Sequence, residues 1–146
     1  LTGSYNPRKS VATIANAMDV GDPSNFARIL DLYGNSHEAI TADISGCSYD
    51  DGQIKATLRS VYDTDGYLLD PHGAVAYRAL AEYMRPGEVG VFLETAHPAK
   101  FKDTVECIID RPVEVPAKLA AFMKGEKSTV KMPAQFPAFK KYLMHC

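Results

Sequence analysis

The sequence predicts an α/β domain that is rich in helix and contains a short parallel sheet. Two apolar runs that suit buried strands, "YLLD" at 67–70 and "VGVFLET" at 89–95, are each followed by a helical pattern. Successive strand–helix units of this kind are typical of parallel sheets. Two strands cannot form a stable open sheet alone. Further strands lie either in the first half of the chain, which has helical patterns, or in another part of a longer protein, and we favour the second.

The helices are indicated by caps and by the spacing of apolar residues. Asp22 can cap the first helix, Pro23 suits its first position and Gly34 suits its end. The same criteria predict helices at 36–44, 50–66, 71–84, 97–109, 116–123 and 137–144. Helix therefore accounts for most of the predicted regular structure.

Length and composition indicate one globular unit. The chain has 146 residues, 46% hydrophobic and 23% charged, with a net charge of −2. We predict no nucleic-acid partner and no membrane partner, because the sequence has neither a basic stripe nor an apolar run of spanning length. The chain begins at Leu1 without methionine and opens in a loop rich in Gly, Asn and Pro, so we expect it to be a fragment.

The cysteines point to a reducing compartment. Cys47, Cys107 and Cys146 are odd in number and widely spaced, without a Cys-x-x-Cys pair. This pattern indicates neither a disulfide framework nor a zinc site. We predict a cytoplasmic protein with buried, inert thiols and no metal.

Polar residues with chemical potential follow both predicted strands. Ligands of open α/β sheets bind at the carboxyl ends of the strands, and these ends carry Asp70 with His72, and Glu94 with Thr95 and His97. Spacing alone leaves plainer roles open. Asp70 and Glu94 are either a carboxylate pair or separate caps, Thr95 suits a helix N-cap, and His97 is a general base or a structural hydrogen-bonding group.

No catalytic motif accompanies these residues. The chain has no Gly-x-Gly-x-x-Gly, no P-loop and no His-Glu-x-x-His. Lys100 could form a Schiff base, but its place in an amphipathic helix beside Lys102 favours a solvated side chain. The residues by themselves predict a ligand-facing edge without an identifiable catalytic group.

Three separated blocks resemble the carboxyl-terminal third of the threonine synthase family. They are "TIANAMDVGDPSNFARI" at 13–29, "DPHGAVAYRAL" at 70–80 and "FLETAHPAKF" at 92–101, in the same order as in the family. The tail "MPAQFPAFKKYLM" at 132–144 is similar to the family's close, whereas the match is weak between Ser36 and Asp65. The resemblance is to the longer, bacterial and fungal branch.

The resemblance implies a pyridoxal-phosphate enzyme of fold type II, related to the tryptophan synthase β subunit, with two α/β domains. It implies that 1–146 is a single partial domain, the carboxyl-terminal segment of this two-domain enzyme, with 1–22 as the loop or linker that enters it. The enzyme's expected reaction converts O-phospho-L-homoserine and water to L-threonine and phosphate, with the cofactor ring as electron sink. It also implies that the Schiff-base lysine and the phosphate-binding loop lie upstream. No catalytic residue is therefore expected in this segment, and the isolated chain is expected to be inactive.

The resemblance also implies roles for individual residues. Thr95 corresponds to the family's threonine that meets the pyridine nitrogen, so cofactor contact ranks above the N-cap role. Asp70, where glutamate is common, and His72 correspond to a segment beside the cofactor ring, and His97 is expected to shape the same loop. Asn16 and Asp19 are candidates for the substrate cleft, although a turn or cap is the plainer role for Asp19.

Two other functions remain open from the sequence, together with one hypothesis about assembly. The first function is a threonine-synthase-like phospho-lyase of the same fold, and the second is a non-catalytic α/β module that binds a ligand or partner. Removal of the rest of the sheet should expose an unpaired edge and apolar surface. We therefore expect non-native self-association of the isolated chain, in the form of a dimer.

Overall fold

A computed structural model describes residues 3–17 and 20–145 of the chain. The α-helices in this part are α1 (Phe26–Leu32), α2 (His37–Asp43), α3 (Asp51–Asp65), α4 (Pro71–Tyr83), α5 (Lys102–Ile109), α6 (Ala117–Met123) and α7 (Phe136–Leu143), and a 3₁₀ helix at Pro98–Phe101 leads into α5. The chain divides into two compact units, Leu1–Glu114 and Val115–Cys146. No helix among the described residues is long and apolar enough to cross a membrane.

The predicted parallel sheet is wrong for the described residues. Neither 67–70 nor 89–95 has strand hydrogen bonding, and no strand occurs elsewhere in 3–17 or 20–145. The physical reason is that a strand is defined by its partner, because a ladder of backbone hydrogen bonds needs a second strand alongside. The described chain supplies extended segments but no neighbours for them.

The helix predictions are confirmed, with one shifted start. Helix α3 has a capping box between Asp50 and Gln53 and ends at Gly66 in the left-handed conformation. The predicted cap at Asp22 is wrong, since α1 begins at Phe26 after Asn25. The Asp22 carboxylate instead accepts a hydrogen bond of 3.1 Å from the Tyr5 hydroxyl.

The core of the first unit lies where α3 packs against α4 and α5. Helix α3 contributes Ile54, Leu58 and Val61, all at most 4% exposed. The other fully buried apolar side chains of this core are Leu69, Ala74, Val105, Ile109 and Val113. Leu69 directly precedes Asp70, so the core fixes the position at which α4 begins.

The cysteine environment differs from the prediction. Cys47 and Cys107 are exposed and unpaired, so the expectation of buried thiols is wrong for these two. Cys146 lies outside the described residues.

The segment 88–95 packs along α4 with strand-like alternation. Phe92 meets the ring of Tyr77 edge-on, with ring centroids 5.6 Å apart. The segment passes so close to α4 that a Cβ on Gly90 would lie 2.7–2.9 Å from the Leu80 side chain. The opposite side of the segment carries Val89, Val91 and Leu93, which are 94%, 80% and 72% exposed. The prediction of a buried strand at 89–95 is therefore wrong, since alternate side chains are exposed and no ladder forms.

The exposed apolar row of Val89, Val91 and Leu93 is the surface through which we expect the isolated chain to self-associate. We expect the isolated 146-residue chain to dimerise at high concentration, because burial of each such side chain contributes roughly 1.5–3 kcal/mol. Sedimentation velocity should show the dimer, and Val91→Lys should raise its dissociation constant roughly tenfold or more. Val11→Lys is the control, since Val11 is also exposed but lies outside the row. A clean monomer at high concentration would count against the hypothesis.

Candidate functional site

The buried side chain of Asp70 organises the start of α4. Asp70 Oδ1 accepts the backbone N–H of His72 at 2.8 Å, and Pro71 occupies the first helical turn, where no backbone donor is needed. The His72 Nδ1 atom lies 2.8 Å from the same oxygen. The ring of His72 also contacts Phe101 edge-on, at 5.2 Å between centroids. The cap role that the sequence left open for Asp70 is therefore real.

Glu94 reaches this helix start from the segment 88–95. Its Oε1 atom accepts the backbone N–H of Asp70 at 2.7 Å. The cap and the carboxylate pair are therefore not alternatives: Asp70 caps α4 and also lies beside Glu94. The sequence had no means to distinguish these roles, because the two residues are separated by 24 positions.

The two carboxyl groups lack hydrogen bonds at one oxygen each. Asp70 Oδ2 and Glu94 Oε2 are both buried and have no partner among the described residues. An ionised carboxylate buried in this way is costly unless its oxygens are hydrogen-bonded. The arrangement therefore favours a neutral form of one of the two groups.

Burial raises the pKa of the Glu94 carboxyl to about 7, and the nearby Asp70 carboxyl adds to the rise. The Asp70 N–H, which donates to Glu94, and the charge of His72 act in the opposite direction. Asp70 thus affects Glu94 in both senses, through its backbone and through its side chain. At pH 6 we expect a protonated Glu94 in the folded protein.

Glu94 should make the free energy of unfolding depend on pH. The folded pKa of about 7 lies above the ordinary 4.5, so between these values the folded state holds a proton that the unfolded state releases. The free energy of unfolding should therefore fall as pH rises through this window. A total on the order of 1–2 kcal/mol is expected, after a discount for partial exposure.

Urea unfolding of the 146-residue chain at pH 4.5, 5.5, 6.5 and 7.5 checks this dependence. Glu94→Gln cannot titrate and should flatten the profile across the window. The interpretation fails if wild type and Glu94→Gln have parallel pH profiles.

Gly73 makes room for the Glu94 carboxyl. A Cβ built on Gly73 would overlap the Glu94 carboxyl atoms, so no larger residue fits without displacing that group. The sequence alone did not single out this residue, because nothing in the stretch "DPHGAV" shows what approaches the helix from outside. The one signal was a glycine in an otherwise favourable helix, where alanine is preferred.

Thr95 lies on the other side of the segment from Glu94. It is exposed, whereas Glu94 is partly buried, as expected for consecutive residues of an extended chain. The Thr95 hydroxyl has no hydrogen bond to any residue that the structure describes. The alternative of an N-cap is wrong, since the 3₁₀ helix is capped by His97 Nδ1, which accepts the Ala99 N–H at 3.1 Å.

A cleft of about 430 Å³ lies next to the acidic pair. Its lining includes Glu94, His97, Tyr67 and Glu114. The structure thus brings together Asp70, His72, Glu94 and His97 from the predicted site. Lys100 is exposed, as its helical position suggested.

Of the two candidates for the substrate cleft, the structure describes Asn16 but not Asp19. Asn16 lies in a turn, where its side-chain oxygen accepts from the Thr13 hydroxyl at 3.1 Å. The adjoining Ile14 N–H donates to Asp51 at the start of α3, at 3.1 Å. Asp19 lies outside the described residues. The described part of the chain contains no group of three or more His, Cys, Asp and Glu side chains that could hold a metal ion.

The residues fit part of a cofactor site. Thr95 offers a free hydroxyl on an exposed face, and Glu94 holds the adjoining backbone against α4. A neutral hydroxyl can give a hydrogen bond to a ring nitrogen without supplying a counter-charge. This donor set suits contact with one edge of a heteroaromatic cofactor, whose remaining contacts would come from elsewhere.

Comparison with known proteins identifies a family. A family model described as "Threonine synthase, C-terminal" matches residues 73–143. The chain is 38% identical over 143 residues to the threonine synthase of Escherichia coli K12, across 98% of this chain and 33% of that protein. It is 41% identical over 118 residues to the threonine synthase of Buchnera aphidicola subsp. Schizaphis graminum, across 81% of this chain and 27% of that protein.

Solved structures agree with the sequence matches. A crystal structure of threonine synthase from Escherichia coli superposes with a TM-score of 0.70 at 37% identity, covering 99% of this chain and 33% of that one. The PLP-bound threonine synthase from Brucella melitensis gives a TM-score of 0.65 at 28% identity, covering 99% and 36%. The chain therefore spans about a third of the length of these relatives. It belongs to the threonine synthase family, in which it corresponds to the carboxyl-terminal segment.

Proposed function

We propose that the full-length protein is a pyridoxal-phosphate-dependent threonine synthase. It converts O-phospho-L-homoserine and water to L-threonine and phosphate. The observation that carries the proposal is the match to the Escherichia coli threonine synthase at 38% identity across 98% of the chain. The bound PLP of the Brucella melitensis threonine synthase supports the choice of cofactor.

We assign to Thr95 the contact with the pyridine nitrogen of the cofactor. Bound PLP supplies the electron sink that elimination and replacement along an amino-acid side chain require. The Thr95 hydroxyl donates one hydrogen bond to the ring nitrogen, whereas a carboxylate there would favour a protonated, more strongly withdrawing ring. With a hydroxyl as its partner, the ring therefore remains a weaker electron sink. The free, exposed hydroxyl of Thr95 supports this role.

The remaining predicted residues serve the same site in our proposal. His72, held by Asp70, lies beside the ring, and His97 shapes the loop through its contact with Ala99. Asn16, whose side chain bonds Thr13, is the candidate of this segment for the substrate cleft. The Schiff-base lysine and the phosphate-binding loop lie upstream of this segment, so the isolated chain is inactive. We place the reaction in the cytoplasm, because the widely spaced cysteines suit a reducing compartment.

Complementation of a bacterial strain without threonine synthase tests the function. The full-length gene should restore growth without added threonine, while a gene for residues 1–146 alone should not. The strain that carries the full-length gene should also grow with threonine supplied, which shows that expression is not toxic. Failure of the well-expressed full-length protein to support growth would contradict the proposal and favour a phospho-lyase or a binding module.

A further inference from the structure

The acidic pair at the start of α4 has a hydrogen-bonding deficit that a single proton can remove. Glu94 Oε1 and Asp70 Oδ1 each have a donor, from the Asp70 N–H and from His72. The second oxygens, Glu94 Oε2 and Asp70 Oδ2, are buried and have no partner among the described residues. A proton on one of these carboxyl groups makes it a donor to the other, which relieves the deficit of both. Such a hydrogen bond between the Asp70 and Glu94 side chains contributes to the raised pKa of Glu94.

We propose that Glu94 is a positioning residue, whose protonated carboxyl group bonds Asp70 and thereby orients Thr95 toward the cofactor. The proposal rests on the cofactor contact assigned to Thr95 above. Glu94 itself touches neither substrate nor cofactor in this role. It acts through the backbone, because it ties the end of the segment 88–95 to the first turn of α4.

Three contacts in register transmit this orientation along the segment. Gly90 lies against Leu80, Phe92 against Tyr77, and Glu94 against Gly73. The three α4 positions follow the helical period and so form one stripe, while the three segment positions alternate. Glu94 is the last of these contacts before Thr95. Among the described residues, the next side-chain hydrogen bond along the chain after Thr95 is that of His97 with the Ala99 N–H.

Other titratable side chains surround Glu94. From the start of α4, Asp70 and His72 face it, with His72 Nδ1 on the Asp70 carboxylate. From the loops on the other side, His97 and Glu114 line the same cleft. Burial raises the pKa of Glu94 to about 7, which supports a protonated group at pH 6. The comparison of Glu94→Gln with wild type isolates Glu94 from the other groups.

Infrared difference spectroscopy tests the protonation without any reference to activity. At pH 6, the spectrum of the full-length protein minus that of Glu94→Gln should contain the C=O band of a protonated carboxylic acid. A carboxylate band in its place would overturn the proposal. This measurement gives an answer even if the protein makes no threonine, so the failure of the proposed function remains distinguishable.

A double-mutant cycle on cofactor affinity tests the coupling to Thr95. PLP binding to the full-length apoprotein is titrated for wild type, Glu94→Ala, Thr95→Ala and the double variant. Thr95→Ala should weaken binding roughly tenfold in the wild type, but less than about threefold when Glu94 is already alanine. Glu94→Gln retains a donor and an acceptor and should restore most of the affinity.

Two outcomes of the cycle would overturn the proposal. One is an equal loss on Thr95→Ala in both backgrounds, and the other is wild-type affinity in Glu94→Ala. Glu88→Ala serves as the matched control, since Glu88 lies in the same segment but is exposed, and it should leave PLP affinity unchanged. Protein that binds no PLP at all would refute the proposed function and this orienting role together, whatever the infrared result.

Discussion

Gly73→Ala should destabilise the chain by about 2–4 kcal/mol, although alanine is ordinarily the better helix former. The new Cβ would occupy the position of the Glu94 carboxyl. Glu94 must then leave its site, which breaks its hydrogen bond to the Asp70 N–H and leaves a buried donor unpaired. Urea unfolding of the 146-residue chain at low concentration measures the loss.

A second substitution identifies the cause of this loss. Glu94→Ala in the Gly73→Ala background removes the clash, so the double variant should be more stable than the sum of the two losses predicts, by at least about 1 kcal/mol. Gly46→Ala is the control, since a Cβ there meets nothing within 4 Å, and its effect should stay within about 0.5 kcal/mol. A neutral or stabilising Gly73→Ala would refute the packing of Glu94 on α4.

Thr95→Ala should reduce kcat/KM for threonine formation by the full-length protein roughly 10- to 100-fold. This range corresponds to the loss of one buried hydrogen bond worth about 1–3 kcal/mol to a cofactor ring. Thr95→Ser keeps the hydroxyl and should stay within a few-fold of wild type. Steady-state kinetics at saturating PLP separates the catalytic loss from simple loss of cofactor.

The stability of the chain distinguishes this role from a structural one. The Thr95 hydroxyl makes no hydrogen bond to the described residues, and the cap of the following helix belongs to His97. Thr95→Ala should therefore leave urea unfolding of the 146-residue chain unchanged within about 0.5 kcal/mol. A large loss of stability would return Thr95 to a capping or packing role.

Local signals made the helices predictable. The capping box of Asp50 and Gln53, the Asp70-Pro71 start of α4 and the left-handed Gly66 each act within a few residues, so they are readable from sequence. The start of α1 was misplaced because the Asp22 side chain contacts Tyr5, 17 positions away. No local pattern reports such a contact.

The sheet and the contacts of the site could not be predicted from sequence, for different physical reasons. The apolar run at 89–95 indicated a buried strand, but alternate side chains are exposed and a sheet needs partners that the described chain lacks. The contact between Asp70 and Glu94, and the space that Gly73 provides for it, depend on how α4 meets the segment 88–95. Only the family resemblance raised Thr95 above a cap, since its hydroxyl has no distinctive local pattern.

The most direct measurement of the central claim is the product yield of the full-length protein with O-phospho-L-homoserine and PLP. Phosphate and L-threonine are quantified in the same reaction, for wild type and for Thr95→Ala. We predict equal yields of the two products, formed more slowly by the variant. Phosphate without threonine would contradict this prediction and show a phospho-lyase of the same fold. If the protein neither turned over the substrate nor bound PLP, the resemblance would reflect shared ancestry without shared function.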